Sequence, residues 1–124
     1  MRPVSAFDEL HSIAPQLVWA GIAARSVHGE RLTMAVVELD AGAVVAEHRH
    51  DHEQIGLVVR GTIDFRIGGE RRELRPGAAY VIPSNIPHDA VAGAEGAVVI
   101  DVFAPVREEW KHQEELETRA PRWP

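Results

Sequence analysis

Three histidines lie within five residues of one another in segment 48–52. Residues two apart on a β-strand point to the same face, so His48 and His50 can direct both imidazoles at one point. A further histidine, His88, follows a separate segment that is rich in glycine and proline. Neutral imidazole is the commonest protein ligand for transition metals. This pattern predicts a site for one divalent transition metal ion, held by His48, His50 and His88.

The choice of a fourth ligand lies between His52 and Gln54. His52 would share a face with His48 and His50 if the strand continued. The polar neighbours at 51 and 53 indicate a turn instead, and a turn breaks the alternation of faces. We therefore expect Gln54 to complete the set, with His52 as the alternative. Imidazole and amide donors suit Ni, Zn, Mn, Fe or Co, so the residues leave the metal's identity open.

Composition excludes several other kinds of site. The chain has 124 residues, a formal net charge of −6 and no cysteine. This length suits one domain, and the lack of thiols excludes disulfides, zinc fingers, iron–sulfur clusters and a cysteine nucleophile. Because there is no basic block, nucleic acid is not an expected partner. The apolar runs are too short for a bilayer and no secretory pattern opens the chain, so we expect a cytoplasmic protein without a membrane partner.

From Gln16 to Phe103, apolar β-branched runs alternate with turn residues. This pattern indicates short strands, and these strands must position the ligands. Many short strands at this spacing predict an all-β sandwich or barrel. The predicted strands are Leu17–Ala23, Leu32–Leu39, Val44–His48, Ile55–Val59, Thr62–Ile67, Glu70–Leu74, Ala79–Ile82, Asp89–Ala92 and Ala97–Phe103.

Residues 16–104 are predicted to form the barrel domain, between an N-terminal lead of residues 1–15 and a C-terminal tail of residues 105–124. Within the tail, the charged segment Arg107–Glu117 is a candidate short helix, and an exposed acidic tail is the alternative. Small barrels with exposed edge strands often pair, so we expect a homodimer.

Two segments resemble the paired motifs of the cupin superfamily, G-x5-H-x-H-x3-E-x6-G and G-x5-P-x-G-x2-H-x3-N. The matching residues are Gly42, His48, His50 and Gly61 in the first motif, and Gly77, Pro83 and His88 in the second. The resemblance covers about residues 35–103. It implies a single-domain cupin, a small antiparallel β-barrel of the double-stranded β-helix type, with the metal inside.

Three positions depart from the cupin pattern. Gln54 stands in place of its Glu, Asn85 in place of its second Gly, and Ala92 in place of its Asn. A neutral donor set of three imidazoles and one amide leaves a divalent ion its full charge, which makes it a stronger Lewis acid. It also lacks the carboxylate of a facial-triad iron oxygenase. Both consequences favour polarisation or isomerisation of a substrate over oxygen chemistry.

The segments 48–56, 82–88 and 101–109 also resemble the pectin-degradation cupins of the KdgF type, in which a Gln likewise replaces the Glu. That resemblance implies metal-assisted opening of 4,5-unsaturated monouronates, the products of pectin and alginate lyases, to linear keto-sugar acids. The expected partner is then a small anionic sugar acid. The alternatives are another cupin enzyme, a dioxygenase or a sugar isomerase or epimerase, and a non-catalytic barrel that binds a small molecule.

Three residues near the last strand are candidates for the chemistry itself. Asp101 is the one acid in an apolar run and shares a face with Phe103; a buried carboxylate is costly unless it is paired or functional. We predict that Asp101 transfers protons, with a structural ion pair as the alternative. Arg107 is predicted to bind the substrate carboxylate, with an exposed tail charge as the alternative. Phe103 is assigned to the pocket wall or the core, and Tyr80 is a further pocket candidate.

Overall fold

Eight β-strands form one antiparallel sheet in the computed structural model, which describes residues 6–124. The strands are β1 (Gln16–Trp19), β2 (Ile22–His28), β3 (Thr33–Leu39), β4 (Val44–His48), β5 (Glu53–Ile67), β6 (Glu70–Leu74), β7 (Ala79–Ile82) and β8 (His88–Ala104). Single 3₁₀ turns lie at Leu10–Ser12 and Glu108–Lys111. The all-β prediction is confirmed. Among the described residues, no helix has the length and apolar character needed to cross a membrane.

The two longest strands each join a pair of runs that the sequence predicted as separate strands. β5 continues through Gly61, and β8 continues through the glycines at 93 and 96. Gly61 takes φ +71°, and a Cβ there would lie 2.0 Å from the carbonyl oxygen of Gly96. Because glycine tolerates both this φ and this close approach, the strands bend instead of ending. The predicted breaks at 60–61 and 93–96 are therefore wrong.

The first predicted strand, Leu17–Ala23, is wrong in the opposite direction. It divides into β1 and β2, which pair with each other in a hairpin. Gly21 takes φ +75° in the connecting turn, a conformation that glycine adopts without steric cost. An apolar run alone did not reveal this turn, because its alternation continues on both sides.

Because β5 and β8 are long, both strands run through the two halves of the sheet. One half of β5, residues 53–57, pairs with β7 and with residues 100–104 of β8. Its other half pairs with β6 and with residues 88–92 of β8. β8 also pairs with β3 and β4 at its two ends. Inward-facing residues in the two end segments of β5 are thus flanked by strands on both sides.

Side chains that point inward from these strands form the core. The largest apolar side chains that are fully buried are Phe103, Leu39, Ile63, Ile82 and Val58. Three polar residues, Gln54, His88 and Asp101, share the same interior and are 7%, 2% and 5% exposed. Buried polar groups are costly unless hydrogen bonded or functional, so these three mark the site within the core.

The tail packs on the barrel and is not a free acidic segment. Trp110 is buried, and the backbone N–H of Leu17 donates to the carbonyl of Glu114 at 2.8 Å. Leu116 likewise donates to the carbonyl of Pro15 at 2.8 Å. Because the tail backbone pairs with these segments, the candidate helix over 107–117 is reduced to the 3₁₀ turn at 108–111.

Asn85 explains one departure from the cupin pattern. It takes φ +63°, in the left-handed region where Asn is the most frequent residue after glycine. Its backbone N–H donates to the carbonyl of His50 at 2.8 Å. The turn that the motif builds with glycine is therefore kept, and it ties the segment before His88 to the histidine segment.

Candidate metal centre and active site

The structure brings His48, His50 and His88 together, with one ligand atom from each lying within 4.8 Å of the others. His48 is the last residue of β4 and pairs with His88, the first residue of β8. Their ring centroids are 4.2 Å apart, and His50 lies 4.9 Å from His88. Alternation along one strand is not the reason for this convergence, because β4 ends at His48 and His50 reaches the cluster from the following turn.

Each imidazole of the cluster is oriented by a backbone carbonyl. The Nδ1 atom of His48 lies 2.9 Å from the oxygen of Ala46, and that of His88 lies 2.9 Å from the oxygen of Ile86. His50 makes the same 2.9 Å contact with the oxygen of His52. A carbonyl only accepts, so Nδ1 carries the proton in all three rings and Nε2 keeps its lone pair. Three Nε2 atoms are therefore available as ligands.

Two further observations show that this donor set fits a transition metal. The Nε2 atom of His50 is buried without a hydrogen-bond partner, a situation that costs about 1–3 kcal/mol unless a ligand satisfies it. Burial also lowers the pKa of each ring, that of His88 to about 4, and the nearby Arg107 cation lowers all three further. The rings are therefore neutral at pH 7, the state that a metal requires.

The two candidates for the fourth ligand, Gln54 and His52, lie in different places. Gln54 lines the same cavity as His48 and His88. His52 lies outside the three-histidine cluster, with its Nε2 atom 3.3 Å from the carbonyl of Val106. Ligation by Gln54 stays a prediction, and it is the one that the geometry favours.

A cavity of about 230 Å³ opens beside the histidines. Its polar wall includes His48, Gln54, His88, Asp101 and Arg107. Drug-sized ligands occupy pockets of about 300–1,000 Å³, so this cavity suits a smaller molecule. The site thus combines imidazoles that could hold a metal ion, the acids Asp101 and Glu109, and the cation Arg107 around a space for a small ligand.

Asp101 lines this cavity. Its Oδ1 atom accepts a 2.6 Å hydrogen bond from the hydroxyl of Tyr80. Burial raises the pKa of Asp101 to about 6, although hydrogen bonds from Tyr80 and Gln54 and the positive charge of Arg107 act in the opposite direction. A carboxyl group with a pKa near neutrality can both accept and release protons at physiological pH.

Arg107 also lines the cavity, and its side chain is only 13% exposed. The guanidinium carbon lies 4.8 Å from the ring centroid of Phe103 and 4.6 Å from that of Trp110. Its Nε atom donates to Glu109 at 3.0 Å. The alternative of an exposed tail charge is therefore wrong, because two aromatic rings and a carboxylate hold the guanidinium at the cavity.

Phe103 serves both of its predicted roles. It is 1% exposed within the core, and its ring also forms part of the cavity wall. The ring lies 6.0 Å from that of His50 and 5.0 Å from that of Trp110, measured between centroids. Phe103 thereby connects the histidine cluster to the residues that hold Arg107.

Sequence reasoning missed three contributors to the site. Trp19 packs edge-on against His48 with centroids 4.8 Å apart, and Trp110 supports Arg107. Gly56 leaves room for the ring of Tyr80, because a Cβ at Gly56 would lie 2.1 Å from the Cζ atom of that ring. A glycine inside an apolar strand is a signal of such a close approach. The tryptophans carried no comparable signal.

Comparison with known proteins agrees with this architecture. Residues 35–103 match the family described as Cupin domain. Over 77 residues the chain is 42% identical to the pectin degradation protein KdgF of Dickeya dadantii (strain 3937). The aligned residues make up 61% of this chain and 70% of that protein. The chain belongs to the cupin family and, within it, to the KdgF proteins.

Two solved structures extend the comparison to three dimensions. The structure of KdgF from Halomonas sp. has a TM-score of 0.80 and 38% identity, covering 86% of this chain and 99% of that one. An RmlC-like cupin from Shewanella frigidimarina has a TM-score of 0.81 and 25% identity, covering 89% of this chain and 99% of that one. The barrel described above is thus a cupin barrel over most of its length.

Proposed function

We propose that this protein is a metal-dependent enzyme that opens 4,5-unsaturated monouronates to linear keto-sugar acids. The observation that carries the proposal is one cavity in which a buried carboxyl group, Asp101, and a held cation, Arg107, face the three-histidine cluster. The identity to a protein named for pectin degradation supports the substrate class.

Arg107 accounts for recognition of a uronate. Guanidinium matches a carboxylate with two parallel hydrogen bonds, and the neighbouring rings of Phe103 and Trp110 restrict its orientation. The cavity's apolar wall strengthens this pairing, since an ion pair gains energy where water is excluded. A chain of net charge −6 needs such a local cation to bind an anionic substrate.

The metal would be held by His48, His50 and His88, with Gln54 as the fourth ligand. When bound, a divalent ion supplies Lewis-acid polarisation of substrate oxygens and neutralises negative charge that develops on them. The carbonyl-oriented imidazoles keep their lone pairs directed at one point.

Asp101 would move the proton that the isomerisation requires. It accepts the proton of the anomeric hydroxyl as the bond between the anomeric carbon and the ring oxygen breaks, which leaves an aldehyde and an enolate. It then gives a proton to C4, the enolate becomes a ketone, and substrate and product have the same atoms. A pKa of about 6 suits both transfers.

The test is to incubate the purified protein with a 4,5-unsaturated galacturonate and to follow the loss of its near-ultraviolet double-bond absorbance. We expect turnover that a chelator abolishes and a divalent transition metal restores. Asp64→Asn is a matched control, because Asp64 is an exposed acid paired with Arg71 on an outer strand. Metal-loaded protein that leaves the absorbance unchanged would contradict the proposed function.

A further inference from the structure

We propose that Tyr80 is a positioning residue that holds the carboxyl group of Asp101 for proton transfer, and that Gly56 creates the space for this contact. The inference rests on the proposed function. Tyr80 lies behind Asp101, which lines the cavity while Tyr80 does not. Tyr80 therefore acts through Asp101 and not by touching the substrate.

The register of three strands shows why Gly56 is required. Gly56 in β5 pairs with Tyr80 of β7 on one side and with Asp101 of β8 on the other. Neighbouring strands lie about 4.8 Å apart, so the hydrogen bond between Tyr80 and Asp101 must pass over the strand between them. A Cβ at Gly56 would lie 2.3 Å from the hydroxyl oxygen of Tyr80. The contact therefore needs a residue without a side chain at position 56.

The phenol of Tyr80 is held rigidly. Its ring is 7% exposed and lies 4.7 Å from the ring of Phe65, and its hydroxyl reaches Oδ1 of Asp101 at 2.6 Å. Burial and the Asp101 carboxylate raise the pKa of Tyr80 well above its ordinary value, so the hydroxyl stays protonated and donates. This hydrogen bond restricts rotation of the carboxyl group. The second carboxyl oxygen is then left in a defined direction.

Tyr80→Phe tests the role of the hydroxyl because it keeps the ring and removes one atom. We expect kcat to fall about 10- to 100-fold with KM within about twofold, since loss of an orienting partner typically has this effect. Metal content should stay unchanged. In an Asp101→Asn background, Tyr80→Phe should cause no further loss, because both changes interrupt one path.

A matched control separates positioning from folding. Ile82 lies on β7 with Tyr80, is fully buried and does not line the cavity. The variant Ile82→Val should therefore lower stability but not kcat. An unchanged kcat in Tyr80→Phe, or a further loss in the Asp101→Asn background, would overturn the assignment. Wild-type protein is assayed first, so that a failure of the proposed function is recognised separately from a failure of this inference.

Discussion

Asp101 and Glu38 are two buried carboxyl groups on neighbouring strands that the protein treats in opposite ways. They are 5% and 2% exposed and belong to β8 and β3, which pair with each other. Asp101 points into the barrel and receives a hydrogen bond from a neutral phenol. Glu38 points outward and meets the tail, where Arg119 donates at 2.7 Å and the backbone N–H of Arg122 donates at 2.8 Å.

The two environments move the two pKa values in opposite directions. Burial raises the pKa of Glu38, but hydrogen bonds and positive charges from Arg119 and Arg122 outweigh it and lower the pKa. Burial raises the pKa of Asp101 to about 6 because its close partners are neutral. The contrast shows that burial alone does not make an acid functional. Glu38 attaches the tail, whereas Asp101, next to a ligand cavity, receives hydrogen bonds from the neutral side chains of Tyr80 and Gln54, which offset only part of the effect of burial.

The largest expected difference between the two acids is in catalysis. Asp101→Asn should lower kcat by about 10²–10⁴-fold, the usual contribution of a general acid or base. Glu38→Gln should leave kcat within about twofold, because Glu38 does not line the cavity. The measurement is uronate turnover by both variants, with metal content checked by elemental analysis. Full activity of Asp101→Asn would remove it from the mechanism.

Metal removal should distinguish the histidine site around Asp101 from the tail contact around Glu38 almost as strongly as the two acid variants do. Chelation or His88→Ala should abolish turnover, and metal at 100 times its dissociation constant should stabilise the wild type by about 2.7 kcal/mol. Thermal unfolding with and without metal measures this effect. His112→Ala is the control, because His112 is exposed in the tail and its variant should still bind metal. A metal-dependent shift that persists in His88→Ala would contradict the assigned ligands.

In the metal-free protein, replacing the two acids by their amides should change the free energy of unfolding in opposite directions. The folded pKa of Asp101, about 6, lies above its unfolded value near 4, so its ionisation destabilises the fold as pH rises through this window. Asp101→Asn should therefore raise the free energy of unfolding by about 1–3 kcal/mol at pH 7 but not at pH 4.

For Glu38 the folded pKa lies below the unfolded value, so its contribution is present above about pH 4.3 and is lost as pH falls through the folded pKa. Glu38→Gln should lower the free energy of unfolding at pH 7 by about 1–3 kcal/mol, the size of a lost hydrogen bond to a charged group. Urea titrations between pH 4 and 8 measure both variants. Changes of the same sign at pH 7 would contradict the comparison.

The smallest expected effect concerns the partner of Glu38. Arg119 is 40% exposed, so solvent screens its ion pair, and Arg119→Ala should lower stability by about 1 kcal/mol or less without changing kcat. Arg72→Ala is the matched control, because its pair with Glu70 is fully at the surface, with both side chains about 70% exposed, and it should have no measurable effect. Equal losses in the two variants would mean that the tail contact adds nothing specific.

Much of the site was predictable from residue types and spacing. The histidines at 48, 50 and 88, with the glycine and proline turns around them, resemble the cupin motifs, and that resemblance implied the barrel and its histidine cluster, although His48 and His88 meet only through the pairing of β4 with β8. The same pattern did not reveal the continuity of β5 and β8. Whether Gly61 ends a strand or bends it depends on the carbonyl of Gly96, which approaches it from another strand.

The amino-acid order was sufficient to identify Asp101 as an acid within an apolar run, because that pattern is local in the chain. It did not single out Glu38, whose burial only the structure shows. The sequence could not show which of these two carboxyl groups would be paired with a cation. Arg119 reaches Glu38 from 81 residues away, and Tyr80 reaches Asp101 across Gly56 of an intervening strand. Electrostatic compensation depends on distances of a few ångströms between groups far apart in the chain, and folding sets those distances.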